Sequence, residues 1–170
     1  IGVCFATSGP GSTNTVTGLA SAWVDSTPLF VITGQSSSKM TSRGAGIEEL
    51  RMIGTFEVDI VSIVKPITKY SYFINDPIFI LFHLEKAYQE AISGRPGPVL
   101  LDIPLDIQGA LVDEEKLIKF QPEFKENISN NNFDALKIEI EKSKKPLIIA
   151  GHGIRVSNQV SQFLKMTKKF

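Results

Sequence analysis

The stretch "IGVCFATSGPGSTNTVTGLASAWVDSTPLFVITGQ", Ile1 to Gln35, decides the architecture. Ile1 to Ala6 is an apolar run that reads as a buried strand. Val16, Leu19, Ala20 and Trp23 recur at helical spacing and predict a helix from Asn14 to Trp23. "LFVIT", Leu29 to Thr33, is a second buried strand, entered through the turn "DSTP" and left through Gly34. Strand, helix and strand in that order make a βαβ unit, the element from which parallel sheets are built. Between the first strand and the helix lies "ATSGPGSTN", Ala6 to Asn14, made of residues so small that a ligand could lie against the backbone. Glycines admit close approach, and the free N–H groups of a helix start favour acceptor atoms. The other reading is a plain strand-to-helix turn, because the spacing is neither a P-loop with its Lys nor the dinucleotide GxGxxG.

Outward from this unit the same rhythm continues. Gln35 to Gly54 is polar and glycine-bearing, too long for a simple connection, and reads as a functional or a mobile loop. Asp76 and Pro77 form an N-cap and first-turn pair for a helix carrying Ile80, Leu84, Ala87, Tyr88 and Ala91 on one face, stopped by Gly94. "PVLLDIP", Pro98 to Pro104, is a third buried strand. Residues 109–132 shift to charge and amide, ending in "NISNNN", and read as a linker. Beyond it Phe133, Leu136 and Ile140 mark a helix, "PLIIAGHG" (Pro146 to Gly153) a strand running into a glycine turn, and Val156 to Met166 a further helix. The expected fold class is α/β, with parallel sheets flanked by helices in two incomplete Rossmann-like units joined by a linker: 1–108, 109–132 and 133–170. The chain starts at Ile1 without Met, already inside a strand, and is read as a piece of a longer protein.

Composition narrows the function classes. In 170 residues, Lys+Arg and Asp+Glu are 18 each, so the net charge is zero and no electrostatic case exists for nucleic acid or an anionic membrane. The late lysines, Lys142, Lys144, Lys145, Lys165, Lys168 and Lys169, read as a solvated face. No apolar run reaches the roughly 20 residues needed to span a bilayer, and the N-terminus lacks signal-peptide order. The single cysteine, Cys4, permits no disulfide framework and no Cys/His metal cluster, and reads as a buried structural thiol in a protein of the cytoplasm.

Few residues advertise chemistry by spacing. "AGHG" after "PLII" invites a dinucleotide-binding oxidoreductase reading, yet a lone GxG is weak, and His152 between its glycines reads as a residue tolerating an unusual backbone angle. His83 has no assignable Ser, Cys or Asp partner and reads as surface or partly buried. Glu48 and Glu49, near Arg43 and Arg51, and Asp102 and Asp106, flanking Pro104, could each be a general base, but no second member of a pair is evident and solvated loop charges are the default.

Taken together, "GVCFATSGPGSTNTVTGLASAWVDSTPLFVITGQ", "PITKY", "SGRPGPVLLDIPLDIQ" and "KKPLIIAGHGI" resemble the thiamine diphosphate enzymes, most closely the catalytic subunit of acetolactate synthase. The resemblance covers nearly the whole chain in order and spacing. It implies the back part of a pyrimidine-binding domain, a linker and the front of a central domain. It implies that Pro10 and Asn14 contact the aminopyrimidine ring, with Gly9 and Gly11 letting the ring approach, that Gln35 lies near the active site, and that Gly151 and Gly153 are candidates for a flavin contact. Thiamine diphosphate with Mg²⁺ is the implied cofactor of the full-length protein, and FAD is left open.

The family's catalytic glutamate would lie upstream of Ile1 and its metal site in a third domain, so no catalytic residue and no metal ligand is assigned here and the piece alone is expected to be inactive. A small 2-keto acid is the implied substrate and a homodimer or homotetramer the implied assembly. The loop departs from the family pattern: Gly46 and Ile47 stand where acetolactate synthases carry Phe and Gln, and Ser37 replaces a loop proline. That departure implies another 2-keto acid or aldehyde as substrate, with a degenerate, non-catalytic relative as the alternative.

Overall fold

The computed structural model describes residues 1–47, 49–122 and 133–168. The chain divides into two compact units, Ile1–Glu123 and Phe124–Phe170. The first runs β1 (Gly2–Ala6), α1 (Pro10–Thr13), α2 (Val16–Asp25), β2 (Leu29–Gln35), α3 (Ser42–Ala45), α4 (Ile60–Val64), β3 (Tyr70–Phe73), α5 (Ile80–Ile92), β4 (Val99–Pro104) and α6 (Leu105–Gln108). The strands form one sheet in the order β1-β2-β4-β3, every pairing parallel. The α/β expectation with a parallel sheet therefore holds.

Period-two alternation sorts the core into two layers. Val31 and Leu100 point to one face, where Leu19 of α2 and Ile60, Val61 and Val64 of α4 cover them. Phe30, Val99 and Leu101 point to the other, under Ala87 and Ala91 of α5. β2 and β4, buried on both faces, are the continuous apolar runs of the sequence, and each fully buried Val, Leu or Ile contributes about 2 kcal/mol. α5 begins as expected: the Asp76 carboxylate accepts from the Ile78 N–H at 3.0 Å, and Pro77–Phe79 makes a 3₁₀ first turn.

Several expectations are corrected. β1 is a strand but not a buried one: it forms the sheet edge, Val3 and Phe5 are exposed, and Cys4 is an exposed free thiol rather than a structural one. Nothing among the described residues covers its faces, so apolar composition alone misread its position. On α5 the buried stripe includes His83, while Tyr88 is 51% exposed. His83 fits because its Nδ1 meets the Tyr70 hydroxyl at 2.6 Å and its ring stacks on Tyr72 at 3.9 Å. Burial lowers the His83 pKa and pushes the Tyr70 phenol up to about 12, so the pair stays neutral at physiological pH. Trp23 is likewise half exposed, α2 packing through Leu19 and Ala22 instead.

Residues 109–122 of the expected linker run back along α5, where Ile118 N–H donates to the Ile78 carbonyl at 3.1 Å and Phe120 N–H to the Glu85 carboxylate at 2.8 Å. The second unit holds α7 (Phe133–Lys142), α8 (Gly153–Val156) and α9 (Val160–Thr167). The strand expected at Pro146 to Gly153 does not form; Leu147 and Ile149 are 85% and 88% exposed, because no described strand lies beside them to satisfy their backbone. The helix expected over Val156 to Met166 is interrupted by Asn158 at φ 58°.

Candidate functional site

The small-residue turn joins the C-terminal end of β1 to α2. Gly9 adopts φ 56°, and a Cβ there would lie 2.2 Å from the Phe56 carbonyl oxygen. A Cβ at Gly11 would lie 2.5 Å from the Thr7 methyl. The room at both glycines is thus filled by the chain itself, and their smallness serves the packing of the turn. Pro10 opens α1, where its fixed φ suits the first helical position. Ser12 is buried and its hydroxyl donates to the Gly9 carbonyl at 2.7 Å. Pro10 and Asn14 remain exposed, and no described residue takes a hydrogen bond from the Asn14 amide group, which leaves a flat apolar surface and an amide free for a ligand.

Gln35, at the end of β2, is buried and committed inside the protein. Its Nε2 donates to the Val58 carbonyl at 3.0 Å and to Asp102 Oδ2 at 3.1 Å, and its Oε1 accepts from the Ser36 N–H at 3.0 Å. Asp102, expected as a solvated loop charge, is instead 1% exposed on β4. Its other oxygen accepts from the Thr33 hydroxyl at 2.7 Å, Thr33 being its register partner across β2 and β4. Burial pushes the Asp102 carboxyl up to about 6, against the opposing pull of the Thr33 and Gln35 hydrogen bonds. The sequence offered Asp102 as a possible general base with a solvated charge as the default, although its place inside "VLLDIP", two residues from Leu100, puts it on the buried face of the strand.

The described residues from Ser36 to Asp59 fold over this end of the sheet, held by Glu57, which spacing did not single out, and by Asp106, which it offered as a possible general base. Glu57 accepts from the Ser42 N–H and hydroxyl, both at 2.6 Å, and from the N–H groups of Ile53 at 2.7 Å and Gly54 at 3.3 Å. Burial pushes the Glu57 carboxyl up, but these donors outweigh it and hold it below the usual glutamate value. Asp106 accepts from the Ser38 N–H at 2.8 Å. Gly46 ends α3 at φ 68°, and Ile47 beside it is 46% exposed. Glu48 lies outside the described residues, and Glu49 is exposed.

A cavity of about 990 Å³ opens beside the turn, lined by Ser8, Gln35, Ile80, Leu84, Ile103 and Gln108 among others; Pro10 and Asn14 are not part of its wall. We place the candidate ligand contacts at the exposed turn rather than in this larger space, because the free polar group is there.

In the second unit Gly151 and Gly153 are exposed, with nothing within 4 Å of a Cβ at either, and His152 has an ordinary helical φ of −60° rather than an unusual one. Among the described residues no group of three or more His, Cys, Asp or Glu could hold a metal, and no helix is long and apolar enough to cross a membrane.

A four-stranded parallel sheet with flanking helices defines an α/β domain, and the turn at the end of β1 lies where such sheets commonly bind ligands. Residues 1–56 match the N-terminal TPP binding domain of the thiamine pyrophosphate enzymes. The chain is 36% identical over 177 residues to an acetolactate synthase of Arthrospira platensis, covering 100% of this chain and 29% of that protein. It is 39% identical over 173 residues to the acetolactate synthase large subunit of Lactococcus lactis subsp. lactis, covering 100% and 28%. Against the chloroplastic acetolactate synthase of Arabidopsis thaliana it is 37% identical over 175 residues, covering 98% and 24%. The chain is similar to these acetolactate synthases along essentially its whole length and to the thiamine pyrophosphate enzyme domain over residues 1–56, and it spans less than a third of the length of these acetolactate synthases.

Proposed function

We propose that these residues form the pyrimidine-facing part of a thiamine diphosphate-dependent enzyme that decarboxylates or ligates a 2-keto acid. The observation that carries the reading is the turn itself: Pro10 and Asn14 stand exposed on a backbone locked from behind by Phe56, and the Asn14 amide is unspent. A flat apolar residue and a free amide suit the face and edge of a hydrogen-bonding heteroaromatic ring. When bound, thiamine diphosphate supplies the electron sink that a 2-keto acid needs to lose its carboxylate. Pro10 and Asn14 orient its ring. The 170 residues by themselves offer no catalytic acid in this reading and are expected to turn nothing over, the complete gene product being the enzyme.

Mg²⁺, a homodimer or homotetramer, and a place in the cytoplasm belong to the same reading; FAD stays open, since Gly151 and Gly153 do not sit in a strand-borne turn. Gly46 and Ile47 support a substrate other than the smallest 2-keto acid, because a glycine and an aliphatic side chain leave an apolar space where the family pattern has an aromatic ring and an amide. The test is calorimetric titration of the complete gene product with thiamine diphosphate and Mg²⁺, followed by a screen of 2-keto acids. Asn14→Ala is expected to weaken cofactor binding about tenfold, the effect of one lost hydrogen bond. Absence of binding by the wild type, or binding indifferent to Asn14→Ala, overturns the assignment.

A further inference from the structure

Asp102 is a buried carboxylate that the reading above does not use. Its partners trace a continuous path to the exposed turn. Asp102 Oδ2 receives the Gln35 amide, and the same Nε2 donates to the Val58 carbonyl, which also accepts from the Ile60 N–H at 2.8 Å. Two residues before Val58, Phe56 sits at φ 59° with its carbonyl in the space that Gly9 leaves open. A shift of the Phe56–Val58 segment therefore meets the backbone of Gly9 directly, and Pro10 is the next residue.

We propose that Asp102 is a positioning residue for the turn Ser8–Asn14: through Gln35 and Val58 it fixes the segment that backs Gly9, and so sets the pose of Pro10 and Asn14. It touches no ligand. Its role as a carboxylate is specific, because both its oxygens accept while Gln35 has a donor to spend on each of two acceptors. An amide at position 102 has one acceptor oxygen where the carboxylate has two: it keeps Gln35 Nε2 only by turning its NH2 to the Thr33 hydroxyl and reversing that bond, and its neutral oxygen holds Gln35 less tightly than a charged one. The charged groups facing Asp102 are Asp59, which caps α4, and Arg43 of α3, and these are paired with each other at 2.8 Å, so neither replaces the Gln35 contact. Thr33 binds the other oxygen through its hydroxyl, while its backbone pairs with Ala6 at the start of the turn; Thr33→Val removes the hydroxyl and keeps that pairing, which gives a control of equal burial.

The inference rests on the proposed function for its consequence, and its mechanical part can be tested without ligand. Hydrogen exchange of the complete gene product is measured for wild type, Asp102→Asn and Thr33→Val. Asp102→Asn is expected to speed exchange about tenfold in the segments around Val58 and in the turn Ser8–Asn14, with α5 unchanged; Thr33→Val is expected to leave the turn as in wild type. Equal loosening of the turn by both variants, or an unaltered turn in Asp102→Asn, overturns the positioning role.

Titration with thiamine diphosphate then reads the consequence. Affinity in Asp102→Asn is expected to fall about tenfold, with turnover at saturating cofactor within about twofold of wild type. Should wild type not bind the cofactor while the exchange pattern appears as described, the functional reading falls and the positioning of the turn stands. A full-affinity Asp102→Asn protein in a binding-competent background removes the inference alone.

Discussion

Gly9 and Gly18 are both glycines beside the same turn, and the structure assigns them opposite behaviour. A methyl at Gly9 meets the Phe56 carbonyl at 2.2 Å on a backbone at φ 56°. Gly9→Ala is therefore expected to destabilise the fold by about 2 kcal/mol or more in urea unfolding. Gly18 lies exposed within α2 with nothing near its Cβ position, so Gly18→Ala should stabilise by roughly 0.5 to 1 kcal/mol. The sequence made the turn visible through its small residues, but not the reason for them, since Phe56 is distant along the chain. Asp102 shows the same limit: a solvated charge was the default for it, because its partners Thr33 and Gln35 lie on another strand. Its titration has a definite sign. The carboxyl titrates at about 6 in the fold against 3.8 ordinarily, so between those values the native state holds the extra proton and stability falls as pH rises. The span is on the order of 3 kcal/mol. Unfolding measured from about pH 4 to about pH 7 should show this slope in wild type and its loss in Asp102→Asn.

At the scale of elements, the strands β2 and β4 and the helix α5 were legible because continuous apolar runs and a capped amphipathic stripe follow from local rules. β1 was legible as a strand and not as an edge, which depends on neighbours. The segment Ser36 to Asp59 was legible only as polar. What gives it shape is Glu57, whose carboxylate gathers donors from Ser42, Ile53 and Gly54, contacts that no spacing rule anticipates. Glu57→Ala is expected to cost on the order of 2 kcal/mol and to open protease cleavage between Met40 and Phe56 that wild type resists. Because the folded pKa is depressed, this contribution is present above the unfolded glutamate value and is lost as pH falls through the folded one. Cleavage of the wild-type segment should accordingly quicken in acid.

At the scale of the molecule, the two units differ in kind. The first has a two-layered core around its sheet, whereas none of the described residues of the second is buried. In the 170-residue chain, amides of α7, α8 and α9 are expected to exchange far faster than those of β2 and β4, with the difference read by mass spectrometry. Comparable protection in both units would contradict the burial pattern. The helical periods of the second unit were readable, but a strand needs partners, and "PLIIA" lacks them among the described residues.

The edge position of β1 also supplies a chemical reporter. Cys4 is the only cysteine in the sequence, and its thiol lies exposed on that edge. A thiol-reactive dye therefore labels a single, known place, and its rate measures directly whether the β1 face is open to solvent. Slow labelling of Cys4 in the complete gene product, read from its own peptide by mass spectrometry, beside fast labelling in the 170-residue chain would reveal a covering surface without any knowledge of what supplies it.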